Sequence, residues 1–189
     1  IRAKMPEDMH FMCHMHNTFG LATANSLACV EGGCDEIDGA VNGYGDEAGN
    51  ASMEECAVAV EALYGIPTGL KMHMMKGYSE MGEKYGHVYC QPHKAIVGDN
   101  AFLRPMIVWG GHDMARESWM AHPSLDPDYV GSPSHVVFGP EATLDDEPIS
   151  LKFRELGIDY TAEDIVKVRN AVEAKLSETV TVTHPRYYI

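Results

Sequence analysis

Two histidines near the start of the chain have the type and spacing of metal ligands. His14 and His16 follow a short apolar run, residues 9–13, which is typical of a buried strand. Side chains alternate between the two faces of a strand, so residues i and i+2 point the same way. If that face is the inside of a barrel near the carboxyl ends of its strands, both imidazoles can reach one metal ion. The spacing therefore predicts part of a metal-dependent enzyme.

The segments around these histidines predict alternating strands and helices. The predicted order after the first strand is helix 20–31, strand 34–41, glycine-rich loop 42–50 and a helix that ends at Tyr64. Gly32 and Gly65 are typical residues after a helix end, and Ser52 is a typical N-cap with acidic residues in the turn that follows it. Strand, helix, strand, loop and helix form the repeating unit of a parallel α/β protein.

The rest of the chain has a different character. We predict a helix over 71–85, an irregular segment over 89–104, and a final helix that begins with a capping signature at Thr161. About two strand–helix units are visible, whereas a parallel barrel needs about eight. The chain is therefore expected to be a fragment, or one subunit whose remaining strands come from another chain.

Composition limits the classes of partner. The chain has 189 residues, enough for one domain or one domain with a small appendage. Its 14 Lys and Arg against 28 Asp and Glu give a formal net charge of −14, which argues against nucleic acid or an anionic membrane as partner. No apolar run approaches the roughly 20 residues of a membrane span. Five cysteines without a C-x-x-C pair predict free thiols in a reducing cytoplasm.

Several motifs together resemble the DRE-TIM metallolyases, and within them the isopropylmalate and homocitrate synthase branch. The resemblance covers most of the chain and is strongest over residues 9–65. The motifs are His14-x-His16-Asn17, Gly20-Leu21-Ala22-x-Ala24-Asn25-Ser26, Asn42-Gly43-x-Gly45 with Gly49-Asn50, residues 94–102, Gly111-His112, and residues 125–131. The resemblance implies the C-terminal portion of a TIM (β/α)8 barrel followed by a small, mostly helical accessory subdomain. The expected domains are the barrel units with the metal site at 1–68, a linker and lid subdomain at 69–131, and a small helical subdomain at 132–189.

The resemblance also implies the chemistry and the residues that perform it. A divalent metal ion (Zn, Mn or Mg) chelates a 2-oxo acid while the enolate of an acyl-CoA co-substrate attacks its carbonyl. His14, His16 and Asn50 would bind the metal ion, and an acidic ligand would come from a first barrel strand that this sequence does not contain. His112 matches the acid–base histidine of the accessory subdomain. His122 stands where the family has a tyrosine and is expected to donate a hydrogen bond or shuttle a proton.

The expected partners follow from the same resemblance. A second chain, or a missing N-terminal segment, would complete the barrel. The protein is then expected to be a homo- or hetero-oligomer in which the accessory subdomain reaches into the partner's barrel. Small molecules are its expected substrates, with no nucleic acid and no membrane.

Three departures from the family pattern leave alternatives open. The usual Asn-Asp after the histidines is Asn17-Thr18, as in the hydroxymethylglutaryl-CoA lyase branch, and the usual Glu-Arg of the glycine-rich loop is Asp46-Glu47. An acidic side chain there should repel an anionic substrate unless it pairs with a cation. The usual Ser-Gly-Arg is not found around residues 139–141. One alternative is a carbon–carbon lyase of the hydroxymethylglutaryl-CoA lyase type, or an aldolase of the 4-hydroxy-2-oxovalerate type, which the stretch from residues 31–35 to 61–65 also resembles. Another is a non-catalytic half-barrel subunit.

Overall fold

The computed structural model of the chain describes residues 2–105, 125–133, 135–137 and 146–179. The chain divides into two compact units, one of Ile1–Ala101 with Asp126–Pro133 and the other of Phe102–Leu125 with Ser134–Ile189. The domain boundaries expected after residues 68 and 131 stay predictions. No helix in the described parts of the chain is long and apolar enough to cross a membrane.

The first unit begins with a parallel strand–helix–strand arrangement. Its elements are β1 (Met12–His14), α1 (Ala22–Glu31), β2 (Glu36–Asp38) and α2 (Met53–Tyr64). β1 and β2 are parallel neighbours, with His14 in register with Asp38. The predicted order of elements is confirmed, and the chain is an α/β protein with a small parallel sheet.

Both strands are shorter than predicted and begin at a side-chain contact. The backbone N–H of Phe11 donates to the carboxylate of Asp35 at 2.9 Å, so this N–H does not continue the ladder between the strands. The carbonyl of Phe11 accepts from the N–H groups of Asp35 and Glu36, at 2.8 and 3.1 Å. Regular pairing therefore starts one residue later, at Met12 and Glu36, and His14 lies within β1 instead of after it.

Among the described residues, only one face of this sheet is covered. Cys13 is 6% exposed, and Ile37 packs against a core cluster of Ala22, Ala51 and Cys56. The other face carries Met12, His14, Glu36 and Asp38, which are all exposed. The predicted buried strand is therefore buried on one face, at Cys13, and exposed on the other, at Met12, because α1 and α2 cover the sheet from one side.

The ends of α2 are close to their predicted positions. Ser52 occupies the N-cap position without a capping bond from its side chain, and its hydroxyl donates instead to Glu54 Oε2 at 2.7 Å. Gly65 ends the helix in the left-handed region, with φ +67°, and its N–H reaches the carbonyl of Glu61 at 3.1 Å.

The remainder of the first unit packs around one methionine-rich helix. α3 (Met75–Gly86) follows a 3-10 turn at Met72–Met74, close to the predicted helix, and α4 (Pro127–Val130) is a single turn. Between α3 and residue 102 the chain is irregular, as predicted. Lys76 of α3 holds this irregular segment, donating to the carbonyl of Val97 at 2.8 Å and to the carboxylate of Asp99 at 2.7 Å.

The second unit contains strands as well as helices. β3 (Leu103–Pro105) and β4 (His135–Val137) pair in parallel, and α5 (Asp146–Glu155) and α6 (Ala162–Thr179) follow. A helical subdomain was predicted here, whereas the strand pair was not, because β3 contains Pro105, which is atypical of a strand, and β4 lies in a stretch rich in proline and glycine. Thr161 caps α6 as predicted. The N–H of Asp164 donates to its hydroxyl at 3.3 Å, and that hydroxyl donates to the Asp164 carboxylate at 2.7 Å.

Met75 tests how much the first unit depends on the packing of α3. Its side chain is 0% exposed, whereas Met81 on the same helix is 55% exposed. We expect Met75→Ala to lower the free energy of unfolding by about 2–5 kcal/mol, because it leaves a cavity. Met81→Ala should change this free energy by less than about 0.5 kcal/mol. Urea denaturation of both variants measures the difference, and equal losses would contradict this assignment of the core.

Candidate metal centre

His14 and His16 lie side by side on the exposed face of the first unit. Their ring centroids are 5.1 Å apart, with an angle of 71° between the ring planes. Two imidazoles that bind one zinc ion through nitrogens at about 2.1 Å would have centroids about 5 Å apart. The predicted common face is present, and the separation suits a shared ion.

Backbone pairing brings Asn50 to the same place. His16 and Asn50 form an isolated antiparallel bridge. The bridge is flanked by bonds from Asn17 N–H to the Gly49 carbonyl at 2.8 Å and from Ala51 N–H to the Met15 carbonyl at 2.9 Å. The paired residues therefore exchange no backbone hydrogen bonds with each other, and this kind of antiparallel pair places side chains closest together.

The side-chain oxygen of Asn50 supports a ligand role. Asn50 Oδ1 is buried and has no hydrogen-bond partner among the described residues. A buried polar atom without a partner is uncommon and costs free energy, so it calls for an explanation such as a bound ion. Two neutral imidazoles and an amide oxygen suit zinc or manganese. The residues that are present therefore fit a divalent ion.

The described residues do not complete a metal site by themselves. In the parts of the chain that the structure describes, no three His, Cys, Asp or Glu side chains group together as a metal site. All five cysteines are free thiols. Burial, together with the neighbouring Cys34 thiol, raises the pKa of Cys13 to about 12, so this thiol stays protonated and is a poor metal ligand.

A buried carboxylate holds the loop that leads to Asn50. Glu54 in the first turn of α2 is 0% exposed, and it accepts the backbone N–H of Asn42 at 2.9 and 3.2 Å through its two oxygens. Asn42 has φ +56°, an uncommon conformation for a residue other than glycine. Its side chain exchanges two bonds with Ser79 of α3, at 2.6 and 3.1 Å. Helices α2 and α3 therefore both fix the start of the glycine-rich loop.

The end of this loop folds back onto its beginning at glycines. The N–H of Asn50 donates to the carbonyl of Gly43 at 2.9 Å. A Cβ at Gly49 would lie 2.1 Å from the Gly43 oxygen, and a Cβ at Gly45 would lie 2.5 Å from Asn50 Cγ. The loop can close tightly around the Asn50 side chain only because these positions are glycine.

Two departures from the family pattern are in contact with each other. Thr18 Oγ1 donates to Glu47 Oε2 at 2.8 Å, and both residues are exposed. No ion pair in the described part of the chain involves Glu47. The hydrogen-bond partner that the structure gives this carboxylate is therefore a neutral hydroxyl.

One lysine lies beside the glycine-rich loop. Lys94 Nζ is 2.8 Å from Glu55 Oε1, and its side chain is 15% exposed. A Cβ at Gly43 would lie 3.8 Å from the same Nζ. Thr23 of α1 donates to the other Glu55 oxygen at 2.7 Å. The sequence pattern indicated neither these contacts of Glu55 nor the burial of Glu54, because an acidic residue in a first helical turn is typically exposed.

The two predicted catalytic histidines, His112 and His122, lie outside the described residues. Their roles stay predictions. The described site consists of His14, His16 and Asn50, together with the loop that positions Asn50.

Gly49 tests whether the tight closure of the loop against Gly43 requires a glycine. Both Gly49 (φ +86°) and Gly65 (φ +67°) have left-handed backbones, but a Cβ at Gly65 would have no atom within 4 Å. We expect Gly65→Ala to lower the free energy of unfolding by about 1–2 kcal/mol through backbone strain alone. Gly49→Ala should lower the free energy of unfolding by about 1–3 kcal/mol more than Gly65→Ala does, since its Cβ overlaps the Gly43 oxygen. Urea denaturation measures both, and equal losses would show that the overlap is relieved without cost.

Comparison with known proteins identifies relatives that are named as synthases. Residues 1–81 match the family model described as HMGL-like. The chain is 32% identical over 168 residues to a putative (R)-citramalate synthase of Methanopyrus kandleri, covering 89% of this chain and 32% of the relative. It is 35% identical over 154 residues to a 2-isopropylmalate synthase of Methanocaldococcus jannaschii, covering 82% and 29% of the two chains.

A third relative is aligned over a larger part of its length. The chain is 34% identical over 177 residues to a homocitrate synthase of Methanopyrus kandleri, covering 93% of this chain and 43% of the relative. The chain thus spans less than half the length of each of these three synthases.

Proposed function

Because the chain belongs to the DRE-TIM metallolyases, in the isopropylmalate and homocitrate synthase branch, we propose that it forms part of a metal-dependent acyltransferase. Family membership implies part of a TIM barrel. We propose that this part is the C-terminal portion of the barrel, followed by the accessory subdomain. The reaction would join an acyl-CoA to a 2-oxo acid.

One observation carries the proposal: the buried side-chain oxygen of Asn50 has no partner among the described residues, and Asn50 pairs through its backbone with His16, whose ring lies beside that of His14. A divalent ion held there would act as a Lewis acid on the carbonyl of the 2-oxo acid. His14 and His16 would each offer a neutral ring nitrogen, and Asn50 would offer its amide oxygen. The tight loop 43–50 keeps that oxygen in place, and His112 and His122 would move protons to and from the acyl-CoA.

The exposed sheet face supports a larger barrel. The side chains of β1 and β2 on this face, including His14 and Asp38, lack a covering layer in the described residues. In a barrel, this face would be the inside, where metal ligands of several strands meet. We propose that a second chain, or a segment preceding this one, supplies the remaining strands and an acidic ligand. The resulting protein would be a homo- or hetero-oligomer.

A lyase or aldolase of the same superfamily is the second candidate. The specific observation in its favour is the hydrogen bond from Thr18 to Glu47. In the synthase pattern an aspartate stands at the position of Thr18 and an arginine at the position of Glu47. Cleavage of a hydroxyacyl-CoA, assayed beside condensation of acetyl-CoA with a series of 2-oxo acids, distinguishes the two functions.

The decisive experiment combines native mass spectrometry with metal analysis of the intact assembly. If a second chain completes the barrel, we expect it at near equal stoichiometry, with about one divalent ion per pair of chains in the wild type. His14→Ala and His16→Ala should each weaken metal affinity by at least about 100-fold, since even residues that support a ligand account for 10–100-fold. Both variants should also abolish condensation.

His10 provides the matched control for these variants. It precedes β1, is exposed, and lies 3.8 Å from Glu36 instead of beside the site. His10→Ala should leave metal content and activity unchanged. If all three histidine variants retained the metal ion and the activity of the wild type, the proposed metal centre would be wrong.

Glu47 tests the proposed anionic substrate. Glu47→Gln removes one negative charge while keeping a side chain that can accept from Thr18. Two charges about 4 Å apart in water interact by about 1 kcal/mol, so the KM for a 2-oxo acid should fall about five-fold at low salt. The effect should shrink as ionic strength rises.

Asp46→Asn controls for net charge, because it removes an equal charge from the neighbouring residue of the same loop. Steady-state kinetics at low and high salt compare the two variants. An unchanged KM in Glu47→Gln at low salt would show that Glu47 does not face the substrate.

A further inference from the structure

Asp38 and His14 are neighbours across the small parallel sheet. The register of β1 and β2 pairs them directly, so their side chains leave the sheet on the same face. His14 Nδ1 lies 2.8 Å from Asp38 Oδ2, well within hydrogen-bond distance. Both side chains are partly exposed, at 42% for His14 and 49% for Asp38.

This contact selects one form of the imidazole. An ionised carboxylate only accepts hydrogen bonds, so Nδ1 must carry the proton that it shares with Asp38. In a neutral ring, the proton on Nδ1 leaves the lone pair of Nε2 free. The partner of one ring nitrogen thus determines which nitrogen can bind a metal ion.

A nearby histidine–carboxylate pair shows that proximity alone does not create this arrangement. Glu36 precedes Asp38 by two residues on β2, and its carboxylate lies 3.8 Å from His10 Nε2. That distance exceeds a hydrogen bond, and both side chains are more exposed, at 62% and 55%. His10 also lies before β1, whereas His14 lies within it and contacts the ring of His16.

We propose that Asp38 is a positioning residue that holds His14 in the Nδ1–H form, with Nε2 directed to the metal ion. Asp38 touches neither ion nor substrate, and it acts through the orientation and tautomer of His14. A carboxylate behind a metal-binding imidazole fixes the ring and raises its basicity, and its loss typically weakens metal affinity 10–100-fold. The inference rests on the proposed metal site.

The first test measures the tautomer without any metal ion. Nitrogen-15 chemical shifts of the His14 ring, recorded at about pH 8 in the full metal-free chain, report which nitrogen carries the proton. We expect Nδ1–H in the wild type and a shift toward Nε2–H in Asp38→Ala. Asp38→Asn should retain part of the Nδ1–H form, because its amide oxygen can still accept. An unchanged tautomer in Asp38→Ala would overturn the inference.

The second test measures binding of Co²⁺ by titration of its visible absorption in the assembled protein. Asp38→Ala should bind Co²⁺ about 10–100-fold more weakly than the wild type, with Asp38→Asn in between. Glu36→Ala is the matched control, since it removes the other carboxylate beside a histidine, and it should bind as the wild type does. Circular dichroism confirms that each variant is folded.

The two tests separate this inference from the proposed function. If His14→Ala weakens Co²⁺ binding and Asp38→Ala does not, the metal site stands and the role of Asp38 is overturned. If Co²⁺ binds equally well to the wild type and His14→Ala, the metal site is wrong. The tautomer of His14 then still shows whether Asp38 positions the ring.

Discussion

The buried carboxylate of Glu54 is the contact on which the candidate site depends most. Transfer of a carboxylate from water to the protein interior costs several kcal/mol unless hydrogen bonds offset this cost. Here the offsetting donors are the Asn42 N–H and the Ser52 hydroxyl. The interaction is therefore reciprocal, because the carboxylate is tolerated only if the loop takes this conformation. Asn50 lies at the other end of the same loop, so its position depends on this contact as well.

Among the described residues, carboxylates contact one of the imidazoles and the segment beside them. Asp38 contacts His14, and Glu47 contacts the neighbouring segment at Thr18, whereas Lys94 is already paired with Glu55. Such an arrangement favours a cation and disfavours an uncompensated anion. A bound divalent ion would reverse that balance locally, so an anionic substrate and the ion would depend on one another.

Local pattern predicted the framework, and long-range contacts decided the rest. The two-residue period placed His14 and His16 on one face, and glycine and capping residues located the ends of α1, α2 and α6. The Asn42–Glu54, Thr18–Glu47 and Lys94–Glu55 contacts join residues that are 12, 29 and 39 positions apart. Glu54 is also buried, whereas an acidic residue in a first helical turn is typically exposed. No local period records such contacts. The strands β3 and β4 were missed although they are as long as β1 and β2, because proline and glycine in and around them are typical of loops.

The contact between Asp35 and Phe11 has a consequence for the fidelity of folding. By taking the Phe11 N–H, the Asp35 carboxylate sets where the ladder of β1 and β2 begins. A slip of one residue would place His14 beside Ile37, whose side chain leaves the opposite face of the sheet. The imidazole would then lose its carboxylate neighbour even though both strands were still paired. The contact of Asp35 with Phe11 therefore also fixes the pairing of His14 with Asp38, which follows Asp35 by three residues.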